Sequence, residues 1–355
     1  MKTLSAPAVL ALRSVARFTR TKTVSGALGP YKPVGWCAAV QTGNQAPSVC
    51  FDGFSFLPDT KVKENTIFRV ASISKILAAA AVMSLVKRGM LSLDGDISEV
   101  LQMRIRKVIT LRQLLTHTAS LTDAGAYHHG AEAQNVPPLD RMIDASFLPY
   151  APGARFHYSN LGAGVAGMAV EAAAGMLFDD FIRKEFFAPF VIDASFHPQR
   201  IRDRERLANC YRVPGSLLSY DARQIAVTPL DEKPDPSLHY YVPAGKLMIS
   251  APDLLSVLQN VSNTLPELFV AQNYIGSVRC AAGRGLGVAY MPRGILSKDE
   301  YWGHQGVAYG ALNEAWMCRD TGTFAVLLTN GVRLSAFCPL YRAGQAGMRA
   351  LIGAA

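Results

Sequence analysis

Ser72 and Lys75, three residues apart in the stretch Phe68-Arg69-Val70-Ala71-Ser72-Ile73-Ser74-Lys75, are the residues whose types and spacing first suggest chemistry. Side chains three apart on a helix lie on one face. If Ser72 opens a helix, its hydroxyl lies beside unpaired backbone N–H groups, which would stabilise the oxyanion of an acyl-serine. A partly buried Lys75 could act as the base. Helix capping is the alternative interpretation of Ser72, because serine is a preferred N-cap residue.

Ser84 and Lys87 repeat this spacing, so the spacing alone does not identify a site. The context separates the two pairs. A strand-like run from Thr66 to Val70 precedes Ser72 and places it at a strand-to-helix junction. Ser84 would lie three turns inside the helix, where a serine hydroxyl usually bonds back to a carbonyl group. We therefore predict that Ser72, and not Ser84, is the nucleophile.

Two further motifs follow in order along the chain. Tyr158-Ser159-Asn160 lies in a predicted turn, and His304-Gln305-Gly306 enters a predicted strand. Taken singly, such residues are most often a half-buried aromatic, a turn residue and a surface strand residue. A second His-x-Gly, His128-His129-Gly130, lies in a polar loop without strand pattern, and we predict no role for it.

The three motifs together resemble those of the serine β-lactamase and penicillin-binding protein superfamily. Tyr-x-Asn in the second position is similar to the branch that contains class C β-lactamases, DD-peptidases and family VIII esterases. The resemblance extends from about residue 30 to residue 335. The flanking stretches that share it are Thr66-Ile67-Phe68-Arg69, Leu111 to Thr118 (similar to "LLTHTSG"), Pro152-Gly153, Pro243-Ala244-Gly245 and Leu328-Thr329-Asn330.

The resemblance implies a catalytic role for three residues. Ser72 would be the nucleophile, and Lys75 and Tyr158 would share the role of base. Tyr158 would then deliver a proton to the leaving group and later activate water or an acceptor alcohol. Which of the two bases bears the proton is a coupled-titration question that the sequence leaves open.

The resemblance also implies substrate-binding residues. Asn160 would hydrogen-bond an amide or carbonyl group of the substrate. The oxyanion hole would use the backbone N–H groups of Ser72 and Val307, and Gly306 would permit close backbone approach. His304 stands where β-lactamases usually carry lysine. Because histidine is mostly neutral near pH 7, the fixed positive charge for a substrate carboxylate is weakened, which shifts the expected substrates from β-lactams towards esters or peptides.

Composition limits the other function classes. The chain has 355 residues, of which 50% are hydrophobic and 18% charged, which is typical of a globular protein with more than one lobe. The net charge of +9 is spread without a concentrated basic block, so we predict no nucleic-acid binding. Six cysteines without a C-x-x-C motif argue against a zinc knuckle. Cys37 and Cys50 could form a disulfide across a hairpin or remain free thiols. We predict no metal site and no cofactor.

The N-terminus is basic, with no acidic residue among residues 1–30. Its apolar run, Ala6 to Leu12, is short and is interrupted by Arg13, which makes a poor secretory signal and predicts a cytoplasmic protein. The segment is expected to form a helix that packs on the body; a membrane-surface helix is the alternative. No stretch is long enough to span a membrane.

The order of predicted elements indicates the fold class. Strands are predicted at residues 35–41, 48–56 and 66–70, followed by helices and loops from residue 110 to about 230. Further strands are predicted at 285–291, 301–303, 311–318 and 323–329, and a last helix at 340–352. We predict an α+β fold, in which an antiparallel sheet built from both chain ends is flanked by helices and carries an inserted, mainly helical lobe. The predicted domains are an α/β sheet domain, residues 1–105 and 240–355, and a helical lobe, residues 106–239, with the active site in the cleft between them.

The leading functional hypothesis is a serine hydrolase that forms an acyl-Ser72 intermediate on esters or on D-amino-acid peptides and amides. An acyltransferase that passes the acyl group to an alcohol keeps the same chemistry and changes the acceptor. A β-lactamase, or a non-catalytic penicillin-binding sensor that retains the fold, is the remaining alternative. The expected partner in each case is a small molecule.

Overall fold

A nine-stranded antiparallel sheet joins the two ends of the chain. The computed structural model describes residues 6–123, 137–211, 240–274, 283–334 and 340–353. The strands in this part of the chain are β1 Gly35–Thr42, β2 Ser48–Phe56, β3 Thr60–Lys61, β4 Ile67–Arg69, β5 Met248–Ser250, β6 Asn273–Tyr274, β7 Gly283–Arg284, β8 Ala289–Met291, β9 Tyr301–Ala308, β10 Ala311–Cys318 and β11 Thr323–Thr329. The order in the large sheet is β3-β2-β1-β11-β10-β9-β8-β7-β6, while β4 and β5 form a separate pair. The predicted antiparallel sheet from both chain ends is confirmed.

Helices cover both faces of this sheet. The described α-helices are α1 Ala6–Leu28, α2 Ser74–Lys87, α3 Ile97–Leu101, α4 Leu111–Leu115, α5 Leu139–Ala145, α6 Asn160–Ala174, α7 Phe178–Ile182, α8 Val242–Gly245, α9 Ala251–Thr264 and α10 Arg342–Gly353. On one face α1 and α10 pack against each other, and α9 lies against β1 and β11 on the other. Because both faces are covered, every residue of β10 is buried, including the polar Asn313 and Glu314.

Helix α2 is the central helix of the protein. Its run of alanines and larger apolar residues is buried almost all round, as expected for a helix enclosed by other elements. It packs on α6 and α8 as well as near the sheet. Helix α6 can approach closely because it presents glycines: a Cβ on Gly164 would lie 1.9 Å from the Tyr240 carbonyl oxygen, and one on Gly167 would lie 2.1 Å from Pro243 Cγ. The small residues of α6 therefore allow this close packing.

Two predicted strands differ from the structure. The strand expected at 285–291 is two short strands, β7 and β8, because Gly287 adopts a left-handed conformation (φ +68°) and reverses the chain. The strand expected at 301–303 continues to Ala308 as β9. Gly303 and Gly306 interrupt the apolar pattern of this strand, so the sequence pattern ends early. Pairing with β10 extends the strand to Ala308.

The described cysteines are free thiols. Cys37 lies opposite Phe51 in the β1–β2 ladder, while Cys50 lies opposite Ala38. The two cysteines therefore point to opposite faces of the sheet, and each joins a different core cluster. Burial raises the pKa of the Cys50 thiol to about 12, so it stays protonated at neutral pH. Cys280, Cys338 and the motif His128-His129-Gly130 lie outside the described residues.

Helix α1 packs on α10 and β2 and contributes the buried side chains of Val24 and Leu28. Phe18, by contrast, is 71% exposed. None of the described helices is by itself both long and apolar enough to cross a bilayer; two consecutive segments, Asn160–Ala174 and Phe178–Phe190, reach that length and composition only as a pair bent by 77°.

Glu314 is a fully buried carboxyl group on the face of the sheet that α10 covers. Trp316 Nε1 donates to its Oε2 at 2.7 Å, and Gln305 Nε2 donates to its Oε1. A Cβ on Gly344 of α10 would lie 1.9 Å from Oε1, so glycine is required there. Burial raises the pKa of Glu314 to about 8, in spite of these two hydrogen bonds.

We expect Glu314→Gln to stabilise the protein in a pH-dependent way. A raised pKa means that the folded state holds the proton more tightly than the unfolded state does. The contribution of Glu314 to stability is therefore complete below its ordinary pKa of about 4.5 and is lost as the pH rises through about 8. Glutamine is neutral throughout, so the free energy of unfolding of the variant relative to wild type should increase between pH 5 and pH 8, as measured by urea denaturation. A constant difference would contradict the assignment, and Glu300→Gln, an exposed acid, is the control.

Candidate active site

Ser72 lies in a tight turn that follows β4. Strand β4 pairs with β5, and the pairing continues as Val70 N–H donates to the Leu247 carbonyl at 2.9 Å. Ala71 then adopts a left-handed conformation (φ +50°), which is strained for a residue with a Cβ. A single 3₁₀ turn, Ala71–Ile73, leads into α2. The sequence predicted the strand-to-helix junction, and the structure adds that Ser72 precedes the α-helix by two residues.

Ser74 holds this turn in place. Its Oγ donates to the Ala71 carbonyl at 2.6 Å and accepts from Leu247 N–H at 3.1 Å. The side chain is fully buried. It therefore ties the strained residue to the strand pair on the other side of the turn. Sequence analysis missed Ser74, because a serine between the nucleophile and the lysine carries no distinctive spacing of its own.

The Ser72 hydroxyl meets Lys75 and Tyr158. Lys75 Nζ donates to Ser72 Oγ at 3.0 Å, and Tyr158 OH donates to the same oxygen at 2.9 Å. The capping alternative is not supported, since neither the 3₁₀ turn nor α2 has a side-chain cap at its start. Two proton-carrying groups therefore converge on one half-buried hydroxyl.

The second pair with the same spacing has different surroundings. Lys87 Nζ donates to the Thr264 carbonyl at 2.8 Å and forms an ion pair with Glu267 at 3.1 Å. Both contacts turn the lysine towards the region after α9 and away from Ser84. The same spacing therefore has two different results. Near the end of α2, Lys87 binds the region after α9, whereas at the start of α2 Lys75 is hydrogen-bonded to Ser72.

Lys75 is 2% exposed, and its ammonium group is fully hydrogen-bonded. Besides Ser72, it donates to Asn160 Oδ1 at 2.7 Å and to the Ala244 carbonyl at 2.6 Å. Three N–H groups thus meet three acceptors, which is the condition for keeping a charge inside a protein. The three acceptors come from three elements: the 3₁₀ turn, the start of α6 and α8.

Asp123 orients Asn160 and begins α6. Its carboxylate accepts from Ser159 Oγ, Asn160 N–H and Asn160 Nδ2 at 2.9 Å each, and from Leu161 N–H at 3.0 Å. Because Asp123 takes the amide nitrogen of Asn160, the amide oxygen is directed to Lys75. Sequence analysis missed Asp123, although it follows the stretch Leu111 to Thr118; a lone aspartate in a turn has no signal that separates it from other turn residues. The predicted contact of Asn160 with substrate stays a prediction.

His117 positions Tyr158. The two rings lie with centroids 4.4 Å apart and tilted by 35°. Ser159 N–H donates to His117 Nδ1 at 3.3 Å, and the His117 carbonyl accepts from His157 N–H at 2.8 Å. Burial, together with the charges of Arg284 and Lys75, holds the pKa of His117 well below its ordinary value of 6.5. A neutral ring can therefore accept the backbone hydrogen bond that fixes the tyrosine segment.

Gly306 lets β9 pass directly beside the Ser72 turn. A Cβ at this position would lie 2.1 Å from the Val70 carbonyl oxygen and 3.3 Å from Ser72 N. Any side chain would push the strand away from the nucleophile. Val307 is the next residue on the strand and is half-buried. The use of its N–H in an oxyanion hole stays a prediction. The structure adds that the strand which carries it lies beside Ser72.

His304 lies two residues before Gly306 and is 5% exposed. Its Nδ1 is 2.6 Å from the Gln305 carbonyl oxygen, and its ring centroid is 6.4 Å from that of Tyr158. Burial, followed by the charges of Arg284 and Lys75, holds the pKa of His304 well below 6.5. The residue that replaces lysine in the third motif is therefore uncharged at neutral pH. All seven residues predicted from the sequence thus lie around one centre.

We expect Asp123→Ala to lower kcat by at least about tenfold, because Asn160 loses the contact that directs its oxygen to Lys75. The substitution also removes a helix cap, which costs about 1 kcal/mol in stability. Asp96→Ala is the matched control, since Asp96 caps α3 through Ser98 N–H away from the centre. Steady-state kinetics and thermal unfolding of both variants separate the two effects. Equal kcat losses in both would show that Asp123 acts only through folding.

Known proteins are similar to this chain in sequence and in fold. A family model described as Beta-lactamase matches residues 38–344. Penicillin-binding protein 4 of Amycolatopsis lactamdurans is 25% identical over 314 residues, which cover 79% of this chain and 77% of that protein. Esterase EstB of Burkholderia gladioli is 34% identical over 134 residues, 32% of this chain and 34% of the relative. The solved structure of D-amino acid amidase from Ochrobactrum anthropi SV3 with L-phenylalanine superposes with a TM-score of 0.76 at 21% identity, over 95% of this chain and 98% of that one. The chain therefore belongs to the beta-lactamase family.

Proposed function

We propose that the protein is a serine hydrolase that forms an acyl-Ser72 intermediate on esters or D-amino-acid amides. The observation that carries this proposal is the convergence of Lys75 Nζ and Tyr158 OH on Ser72 Oγ at 3.0 Å and 2.9 Å. A serine hydroxyl is a weak nucleophile until an adjacent base removes its proton. Both distances permit such a transfer.

Acylation requires a Lys75–Tyr158 pair that holds one proton fewer than an ammonium and a phenol together. Ser72 Oγ then attacks the scissile carbonyl carbon, and its proton passes to this pair. The carbonyl oxygen becomes an oxyanion beside the backbone N–H groups of Ser72 and Val307. The tetrahedral intermediate then collapses, the bond to the leaving group breaks, and Tyr158 returns the proton to the leaving alcohol or amine. The product of this half-reaction is an ester of Ser72.

Deacylation uses the same groups in reverse. A water molecule gives a proton to Tyr158 while its oxygen attacks the acyl carbon. Collapse of the second intermediate breaks the bond to Ser72 Oγ, which recovers its proton from the pair. Lys75 stays bonded to Asn160 and Ala244 throughout, so its charge does not need to be resolvated during the cycle.

The substrate class is supported by the third motif and by the relatives. His304 is neutral and offers no fixed charge for a substrate carboxylate. The relatives include, by name, an esterase and a D-amino acid amidase. We also propose that the site lies in the cleft between a sheet domain, residues 1–105 and 240–355, and a helical lobe, residues 106–239. This placement is supported because Ser72 and His304 belong to the sheet domain and Tyr158 belongs to the helical lobe.

We expect Ser72→Ala to abolish the acyl adduct. Wild-type protein mixed with p-nitrophenyl esters of increasing chain length should gain the mass of the acyl group in intact-mass spectra, and Ser72→Ala should not. Ser84→Ala is the matched control, because Ser84 lies on the same helix with the same spacing to a lysine. Full activity of Ser72→Ala would exclude the mechanism.

We expect Lys75→Ala and Tyr158→Phe each to lower kcat by at least about 100-fold, as is usual when a general base is removed. Lys87→Ala is the control and should retain wild-type kcat. Losses under about tenfold in both active-site variants would mean that the base is assigned wrongly.

Two arms of the same assay decide between the related activities. Turnover of a chromogenic cephalosporin would favour a β-lactamase, and a stable adduct without turnover would favour a penicillin-binding sensor. A rate that rises on addition of an alcohol, with an acyl-alcohol product, would favour an acyltransferase.

A further inference from the structure

We propose that His304 Nε2 accepts a hydrogen bond from an uncharged N–H or O–H group of the substrate, carried on the carbon next to the scissile carbonyl. This inference rests on the proposed acyl-Ser72 function and narrows its substrate class. Among esters and D-amino-acid amides it selects N-acylated amino-acid or hydroxy-acid derivatives, and it disfavours amides with a free amine as well as carboxylate-anchored β-lactams.

The tautomer of His304 follows from the hydrogen bond that its Nδ1 makes. Its Nδ1 lies 2.6 Å from the Gln305 carbonyl oxygen. A carbonyl oxygen can only accept, so Nδ1 must carry the hydrogen. In a neutral imidazole the other nitrogen, Nε2, then has a lone pair and acts only as an acceptor.

The ring is kept neutral by its surroundings. It is 5% exposed, and the charges that act on it are those of Arg284 and Lys75, both positive. These charges come from two different elements, β7 and α2. Together with burial they oppose protonation of Nε2, so the acceptor persists across the neutral pH range.

Nε2 is buried, and the part of the chain that the structure describes supplies no hydrogen-bond partner for it. A buried acceptor without a donor is unfavourable, so such a group calls for an explanation, and a ligand that completes it is one. His304 lies two residues before Gly306 on β9, so both residues lie on the sheet face that carries Ser72. The ring also lies beside Tyr158, with centroids 6.4 Å apart. The uncompleted acceptor therefore belongs to the wall of the site.

The charge of the missing partner can be deduced. A carboxylate would bring its oxygen lone pairs against the Nε2 lone pair. An ammonium group would enter the same positive field of Lys75 and Arg284 that keeps His304 neutral. An uncharged donor meets neither obstacle, and an amide N–H or a hydroxyl group is the common form of such a donor next to a carbonyl carbon.

The test uses two p-nitrophenyl esters that differ in one group: the ester of N-acetyl-D-phenylalanine, and its analogue in which the amide N–H is replaced by oxygen. Wild-type protein should prefer the N–H ester by at least about tenfold in kcat/KM. His304→Leu should reduce this preference to near unity. His304→Gln, which keeps an acceptor, should retain part of the preference. Taking the ratio between variants cancels the intrinsic reactivity of the two esters.

The outcomes separate the two proposals. An undiminished preference in His304→Leu overturns this inference, as does the lack of a preference in wild type. The acyl adduct that each of the two esters forms on the protein, measured by intact mass, reports on the acyl-Ser72 mechanism independently of His304. If thermal unfolding shows that His304→Leu does not fold, wild-type protein with the p-nitrophenyl ester of D-phenylalanine decides instead. Wild type should have a lower kcat/KM for this ammonium-bearing ester than for the N-acetyl ester. Equal values of kcat/KM would overturn the inference.

Discussion

The ammonium group of Lys75 is the constraint on which the rest of the site depends. A charge that is 2% exposed is tolerated only if each of its N–H groups has a partner. The partners are Ser72 Oγ, Asn160 Oδ1 and the Ala244 carbonyl, and they lie on three separate elements. Lys75 therefore connects the turn, α6 and α8 through its three hydrogen bonds. Loss of one acceptor would leave one N–H group of a buried charge without a partner, which costs at least about 1–3 kcal/mol.

A second group of residues supports each of these partners. Ser74 ties the turn that carries Ser72 to β5, and Asp123 directs the amide of Asn160. His117 lies against the ring of Tyr158, which completes the contacts of the Ser72 hydroxyl. The reacting groups come from distant parts of the chain, and each is fixed by a neighbour that does not react. Such preorganisation matters because small displacements of reacting groups cost large factors in rate.

Electrostatics divides the site into a charged and an uncharged side. Lys75 supplies a positive charge beside the nucleophile. His117 and His304, which flank Tyr158, both have pKa values held well below 6.5 by burial and by the neighbouring positive charges. The third motif therefore offers a lone pair at the position where the resemblance to β-lactamases leads one to expect a lysine charge. This change in one residue type alters the substrates expected for an otherwise shared mechanism.

The sequence by itself determined the family, the order of the elements and the residues at the centre. Ser72, Tyr158 and His304 stand in ordered motifs, and the strands that start at Gly35 and Ala311 follow their apolar pattern closely. The strand-like run before Ser72 already separated it from Ser84. Only the tertiary structure decided that Tyr158 and Asn160 meet at the Ser72–Lys75 pair, because both reach it from another part of the chain. The roles of Asp123 and Ser74, and the tautomer of His304, likewise depend on contacts between elements far apart in the chain. Local patterns encode which residues are buried or turn-forming, whereas hydrogen-bond partners at such distances are set by the packing of the whole fold.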